Sequence, residues 1–434
     1  MLNLNVVLRD IRSFSGRHVI PVRPLTILIG ENSTGKSTFL SALSVIFDQT
    51  GFPFRPGFNR PPFELGGFEH IVTSTKRGGE RPKDFSIGFT RTGSAPTDTT
   101  VAATYRGSHG QVQLSQFLLS GALGKIDLSM EHGAITGTAH LNPDDIEGDA
   151  VDIEIDFGRL PTAVPMDIAS IAMIGAVRAS TGKGPQSTSR YQNRLYQLIA
   201  TLIQTQEDPT VALAPVRTKP RRTYDEATDS FTPEGDHIPV LLSRIFADEE
   251  QKELKSDLRR ALAKFGEDSG LFRSVGVRRL GQGPSDPFQV RVSMPGHSPN
   301  LTDVGYGVSQ SLPLVVESVI GFGSRLLLLQ QPEVHLHPRA QAALGTFFVD
   351  LVCSKQKQFV IETHSDYLLD RVRTEIAERQ LDPESVAFLF FEMNKGVTKV
   401  HRIRIDSAGN VVDPPRKYRK FFLDERQRLL TRGR

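Results

Sequence analysis

Gly30-Glu31-Asn32-Ser33-Thr34-Gly35-Lys36-Ser37 follows the apolar run Leu25-Thr26-Ile27-Leu28-Ile29 and precedes a helix-like Thr38-Phe39-Leu40-Ser41-Ala42-Leu43. This is the pattern G-x-x-x-x-G-K-[ST] in a strand, loop, helix setting, and few short motifs restrict a fold as tightly. The backbone N–H groups of such a loop and the start of the following helix wrap phosphate groups. Gly30, Asn32, Ser33, Gly35 and Thr38 would form that cradle. Lys36 supplies a mobile positive charge for the β and γ oxygens, and the Ser37 hydroxyl ligates Mg²⁺. The implied cofactors are ATP and Mg²⁺.

At 434 residues the chain exceeds what one hydrophobic core usually serves, so two domains or one domain with a large insertion are expected. The single Cys353 excludes a disulfide framework and fits a reducing compartment; near the end of the helix-like Phe347-Phe348-Val349-Asp350-Leu351-Val352 it is expected to be buried. Met1-Leu2-Asn3-Leu4-Asn5 opens no basic stretch with an apolar core behind it, and no run of about 18 apolar residues occurs. A soluble, cytoplasmic protein without a membrane partner is the expectation. The net charge of +3 is too small to demand a polyanionic partner, but Arg416 to Arg434 holds eight Lys or Arg against two acids.

Leu4-Asn5-Val6-Val7-Leu8 and His18-Val19-Ile20-Pro21-Val22 read as short strands, so a nucleotide-binding core is expected from the first residues. From about Gly51 to Asp156 the chain turns Gly-, Thr- and Pro-rich with alternating runs such as Val151 to Phe157, which predicts a β-rich lobe. Ser180 to Ser187 lacks periodicity and reads as a loop with no chemistry. Leu254, Leu258, Ala261, Leu262 and Phe265 share one face of a charged helix expected over about 247–264. After Pro299 the pattern becomes α/β, with Leu326-Leu327-Leu328-Leu329 and Gln358-Phe359-Val360-Ile361 predicted to pair in parallel across a helix-length connection. Neither a repeat nor a long heptad array occurs, which excludes long coiled-coil arms.

Three distal motifs bear on function. Leu326 to Leu329 leads into Gln330-Gln331-Pro332-Glu333-Val334-His335-Leu336-His337-Pro338, where other loop ATPases carry a Walker B Asp-Glu. Ile361-Glu362-Thr363-His364-Ser365-Asp366 places a His just beyond a strand's carboxyl end, where α/β sheets bind ligands. Asp303-Val304-Gly305-Tyr306-Gly307-Val308-Ser309-Gln310 puts small and polar residues before an apolar helix from Leu312 to Ile320.

On these motifs the chain resembles an ABC-class ATPase of the AAA family, in the overcoming-lysogenisation-defect and DNA-repair-like branch, and specifically its bacterial defence-associated members without a nuclease domain. The resemblance covers residues 1 to about 50 and 300 to 434. It reaches the middle only through Leu213-Ala214-Pro215-Val216-Arg217 and Pro220-Arg221-Arg222-Thr223-Tyr224. It implies an α/β fold: an ABC-type P-loop nucleotide-binding domain with a mixed sheet, made of residues 1–50 and 300–434, and a β-rich lobe and helical insertion in 51–299. It also implies a homodimer with two ATP molecules sandwiched between protomers, open to higher oligomers. Gly307, Ser309 and Gln310 would face the γ-phosphate held by the other copy, although the usual Ser-Gly-Gly is not matched. His364 would sense the γ-phosphate and help hold the attacking water. His335 and His337 fall on the family's interface loop, and two imidazoles fall short of the three or four ligands of a zinc site.

The chain departs from the pattern at Gln330-Gln331. Gln330 stands where the family's Walker B acid helps hold Mg²⁺ through water, and an amide offers an oxygen without charge. Gln331 takes the position of the usual catalytic Glu, which leaves Glu333 to orient water. A natural weakening and an engineered substitution both fit Gln330. The functional reading is an ATP-hydrolysing dimeric switch that controls a separate effector, a nuclease or toxin, in defence against phage or foreign DNA. The alternative is a DNA-repair or recombination-type ATPase that binds DNA, for which Arg416-Lys417-Tyr418-Arg419-Lys420-Phe421-Phe422 mixes cations with aromatics. In the alternative use of this tail, Phe421 and Phe422 anchor it on the core. A nuclease is disfavoured, because two-metal chemistry needs carboxylates and no Asp-x-Asp follows Asp366.

Overall fold

The computed structural model describes residues 3–48, 51–74, 80–91, 98–131, 134–142, 151–159, 197–198, 210–225, 230–283, 286–321 and 326–418. The Ser180–Ser187 loop and the tail residues Arg419, Lys420, Phe421 and Phe422 lie outside them. The strands in chain order are β1 (Leu4–Ile11), β2 (Phe14–Val22), β3 (Leu25–Gly30), β4 (Asn59–Arg60), β5 (Phe63–Glu64), β6 (Asp84–Arg91), β7 (Thr99–Ser108), β8 (Gln111–Gly121), β9 (Gly124–Glu131), β10 (Ala134–Leu141), β11 (Val151–Arg159), β12 (Thr210–Leu213), β13 (Ser274–Arg279), β14 (Phe288–Ser293), β15 (Leu326–Gln330), β16 (Gln358–Glu362), β17 (Val386–Asn394), β18 (Val397–Ile405) and β19 (Val411–Val412). The helices are α1 (Lys36–Ile46), α2 (Phe68–Ile71), α3 (Ile238–Ala247), α4 (Lys252–Ser269), α5 (Tyr306–Ile320), α6 (Pro338–Lys355) and α7 (Asp366–Ala377).

Two large sheets organise these elements. One is an antiparallel array in the order β11-β10-β9-β8-β7-β6-β1-β2, the expected β-rich lobe. The other runs β12-β15-β16-β3-β17-β18-β19; its first five strands are parallel and its last two antiparallel, so the sheet is mixed. The sheets interleave along the chain. The opening strands β1 and β2 pair within the antiparallel array, and β12, from the middle of the chain, pairs with β15 in the mixed sheet.

The four consecutive leucines of β15 follow from a sheet covered on both faces. Leu326 and Leu328 point into a core shared with α1 and the antiparallel array, alongside Val360, Leu389 and Phe391. Leu327 and Leu329 point into a second core with the helices, alongside Phe359, Ile361 and Phe388. The antiparallel array alternates instead, with Phe85, Ile87 and Phe89 buried along β6.

The charged helix starts at Lys252, five residues after the expected position. Asp248 takes the N–H of Glu250 at 2.8 Å and the side-chain amide of Gln251 at 2.7 Å, and this local turn competes with helix. Its Leu258, Leu262 and Phe265 are buried against α5, α6 and β13, and it ends at Gly270 in the left-handed conformation (φ 72°). Cys353 corrects a second expectation. It is exposed, because Leu344, Phe348 and Leu351 centre the buried face of α6 and Cys353, two residues past Leu351, falls on the opposite side. Among the described residues no helix is long and apolar enough to cross a membrane.

Candidate nucleotide-binding site

The loop after β3 is shaped by residues that only certain backbones allow. Gly30 has φ 147°, and a Cβ there would sit 2.3 Å from the Phe391 carbonyl of β17. Gly35 has φ 102°, and its Cβ would meet the Thr398 hydroxyl at 2.9 Å and the Phe14 ring at 3.0 Å. Ser33 between them is also left-handed, with φ 60°. Left-handed residues turn successive N–H groups inward, which is the physical basis of an anion nest. The Thr34 hydroxyl donates to the Glu31 carbonyl at 2.8 Å, and the Thr398 hydroxyl donates to the Thr34 carbonyl at 2.8 Å, tying the loop to β18. Among the described residues no side chain caps α1 and no acid stands in its first turn, so its positive end serves the loop.

Lys36 is buried, with its ammonium donating to the carbonyls of Gly30 at 3.0 Å and Glu31 at 2.7 Å. Burial lowers its pKa, and the neighbouring Glu362 opposes that shift. Asn32, Ser33 and Ser37 are exposed at the loop surface, while Thr38 is largely buried under it.

The carboxyl ends of β15 and β16 lie beside this loop, because β16 pairs with both β15 and β3. Gln330 is half-buried at the end of β15, in register with Glu362. Gln331 is left-handed (φ 43°), and its N–H donates to the Glu362 carbonyl at 2.7 Å. Glu333 is buried and does not touch the loop lysine; one carboxylate oxygen accepts the His364 N–H at 2.7 Å. Burial raises the Glu333 pKa, against the bond from His364. The carboxylate that reaches the loop is Glu362, whose oxygens lie 2.9 Å from Ser37 Oγ and 3.8 Å from Lys36 Nζ. Sequence reasoning singled out His364 in this motif and passed over Glu362. An acid ending the strand next to the loop strand was the available signal.

His364 has its pKa lowered from 6.5, first by burial and then by Lys36, with Glu362 opposing. A neutral imidazole therefore persists to more acidic pH than for a free histidine. The acid limb of ATP hydrolysis is expected below pH 6.5, and His364→Gln should remove it along with most turnover. An unchanged limb in that variant, read from a pH–rate profile, would assign the titration elsewhere.

The Gly305–Gln310 segment forms the start of α5, which begins at Tyr306 rather than at Leu312. Gly305 and Tyr306 are exposed and Gly307 half-buried. A Cβ on Gly307 would lie 3.1 Å from the His335 carbonyl, and the Tyr306 and His335 rings meet edge-on at 4.8 Å. His335 thus packs on the start of α5, and His337 caps α6 by accepting the Arg339 N–H at 3.4 Å. Ser309 and Gln310, expected to face the γ-phosphate held by the other copy, turn their side chains inward in this protomer. The Ser309 hydroxyl donates to the Tyr306 carbonyl at 2.8 Å, and Gln310, fully buried, accepts the Arg217 N–H at 3.2 Å. The outward-facing part of this turn is Gly305 to Gly307.

Arg217 was not anticipated as a site residue. It is buried, its guanidinium donates to the Gln310 carbonyl at 3.2 Å, and burial pulls its pKa down to about 10 while Glu333 opposes. It is bonded to the start of α5, and its charge acts on the acid that holds His364. The cationic tail begins on the body of the protein, with Lys417 paired to Glu392 at 2.9 Å and the Tyr418 ring edge-on to Phe390 at 5.8 Å.

Residues 167–369 match the family described as AAA ATPase domain, and residues 8–63 match a protein family of unknown function, DUF2813. No curated protein matches the chain. Among solved structures it is similar to an SMC head bound to the C-terminal winged-helix domain of ScpA, at 11% identity and a TM-score of 0.50, covering 94% of this chain and 99% of that one. It is also similar to the SMC head domain from Thermotoga maritima, at 12% identity and a TM-score of 0.46, covering 93% of this chain and 100% of that one. The likeness to the SMC head shows the fold, and the ATPase-domain match over residues 167–369 together with the phosphate loop supports an ATPase.

Proposed function

We infer that the chain is an ATP-driven dimeric switch that controls a separate effector, in bacterial defence against phage or foreign DNA. One observation carries the dimer: two helix starts lie toward the carboxyl ends of the parallel strands. The start of α1 serves the phosphate loop, and the start of α5 packs on the His335 turn that leaves β15. A single nucleotide needs the first only. The turn from the exposed Gly305 to the half-buried Gly307, with no side chain at either glycine to hinder close backbone approach, suits a γ-phosphate presented by a second copy. ATP bound between copies then glues them, and hydrolysis releases them.

Lys36, the loop N–H groups and Ser37 would hold ATP and Mg²⁺. The ion supplies charge neutralisation of the β and γ oxygens. His364, neutral and fixed through its backbone by Glu333, holds the attacking water, with Gln331 tied by its N–H to the Glu362 carbonyl. The effector and the defence role rest on the family resemblance, and the winged-helix partner on the similar SMC head supports heads of this fold as docking platforms for other proteins.

The interface reading is tested at Gly305, where a Cβ meets nothing within 4 Å and φ is an ordinary −56°. Gly305→Glu should fold normally and bind ATP in one protomer with affinity within about twofold, yet fail to dimerise, since its charge repels the facing γ-phosphate. Light scattering with ATP reads the outcome. A normal nucleotide-dependent dimer would remove the start of α5 from the interface.

A further inference from the structure

We propose that Glu362 is the charged protein group of the Mg²⁺ site, taking with Ser37 the part that the amide at Gln330 cannot fill. The proposal rests on the ATP-binding reading above.

The topology places Glu362 well for this. In the strand order β15-β16-β3, Glu362 ends the strand next to the phosphate-loop strand, and Gln330 ends the strand one further away. Glu362 is 5% exposed, and Oε2 accepts from Ser37 Oγ at 2.9 Å. In an octahedral Mg²⁺ shell with ligands near 2.0–2.1 Å, neighbouring oxygens are about 2.9 Å apart. In this structure the contact is a hydrogen bond, and because its length equals the spacing of neighbouring oxygens on one ion, Mg²⁺ would replace the shared proton without the two groups moving apart.

Electrostatics separates this role from a purely structural one. A triphosphate in the loop brings several negative charges beside Lys36 and Ser37, within reach of a buried carboxylate that water screens poorly. Lys36 offsets Glu362 only at 3.8 Å and spends its shorter bonds on the Gly30 and Glu31 carbonyls. Without a cation between them, Glu362 and the phosphates repel. With Mg²⁺ there, both are satisfied. Glu362 therefore makes nucleotide binding depend on Mg²⁺: it opposes free ATP and favours Mg·ATP.

The test is the affinity of the full chain for a fluorescent ATP analogue, measured with excess Mg²⁺ and with chelator. Wild type should bind at least about tenfold more tightly with Mg²⁺. Glu362→Gln should bind the Mg²⁺-free analogue more tightly than wild type does and lose most of the Mg²⁺ enhancement. Mn²⁺ titration followed by electron paramagnetic resonance, with nucleotide present, should show metal affinity falling about 10- to 100-fold. The charge-swapped double variant Glu362→Gln, Gln330→Glu should recover part of both effects, and this guards against a variant that merely loosens the loop. Mg²⁺ enhancement and Mn²⁺ affinity unchanged in Glu362→Gln would overturn the proposal while leaving ATP binding standing. Loss of binding with and without Mg²⁺, unrescued by the swap, would reduce Glu362 to a partner of Lys36. A wild-type chain that binds no analogue under either condition would overturn the reading beneath it.

Discussion

Lys36→Ala is expected to abolish ATP binding, with affinity falling by about two orders of magnitude or more. A hydrogen bond to a charged group contributes about 1.5–3 kcal/mol, and the ammonium faces phosphate oxygens in a site where burial weakens solvent screening. The loop N–H groups remain in the variant, but they cannot offset the clustered charge alone. The same change strips the donor from the Gly30 and Glu31 carbonyls and leaves Glu362 without its nearest cation. Lys36→Arg should fail nearly as fully, because Lys36 is 3% exposed and a planar guanidinium cannot repeat the ammonium's bonds to the Gly30 and Glu31 carbonyls there. Titration calorimetry reads both variants, with circular dichroism to confirm the fold. Wild-type affinity in Lys36→Ala would remove the phosphate-loop assignment.

What the sequence reveals about this site follows the range of the interactions involved. The loop is legible because its chemistry is local: two glycines, a lysine and a serine within eight positions dictate both backbone and ligand. The mixed sheet is legible because Leu326 to Leu329 and Phe359 to Ile361 carry the unbroken apolar signature of strands covered on both faces. Glu362 was hidden because its partner Ser37 is 325 positions away, and only the pairing of β16 with β3 brings them together. The inward turn of Gln310 was hidden likewise, since Arg217 lies 93 positions away and nothing in the Gly-x-Ser-Gln spacing marks which way an amide points. The start of α4 was misplaced for the opposite reason: a local competitor, the Asp248 turn, overrode a periodic pattern that extends past it. Cys353 was misplaced because burial was expected of a Cys beside an apolar run, when period 3.6 sets it opposite the buried Leu344 and Leu351.

Arg217→Ala should destabilise the protein by about 1.5–3 kcal/mol, the scale of a lost hydrogen bond from a charged group in a buried setting. Arg217 is 2% exposed, and it is braced by three bonds to a single residue: its N–H to Gln310 Oε1 at 3.2 Å, its guanidinium to the Gln310 carbonyl at 3.2 Å, and its carbonyl from Gln310 Nε2 at 3.4 Å. Truncation keeps the backbone bonds and removes the cation that Glu333 feels. The Glu333 carboxyl, already raised above its ordinary 4.5 by burial, then rises further. A carboxyl with a raised folded pKa binds its proton more tightly in the native state, so stability is greatest below the unfolded value and is lost as pH climbs through the folded one. The penalty of Arg217→Ala relative to wild type should therefore be largest near pH 7 and shrink as pH approaches 4.5, where Glu333, raised above that value, is more than half protonated in both proteins. Urea unfolding at both pH values measures it. Glu333→Gln in the same background should remove the pH dependence of the difference, because the remaining side chain carries no titrating group. A penalty below about 1 kcal/mol at pH 7, or one that grows on acidification, would show that Glu333 and the start of α5 are held without Arg217.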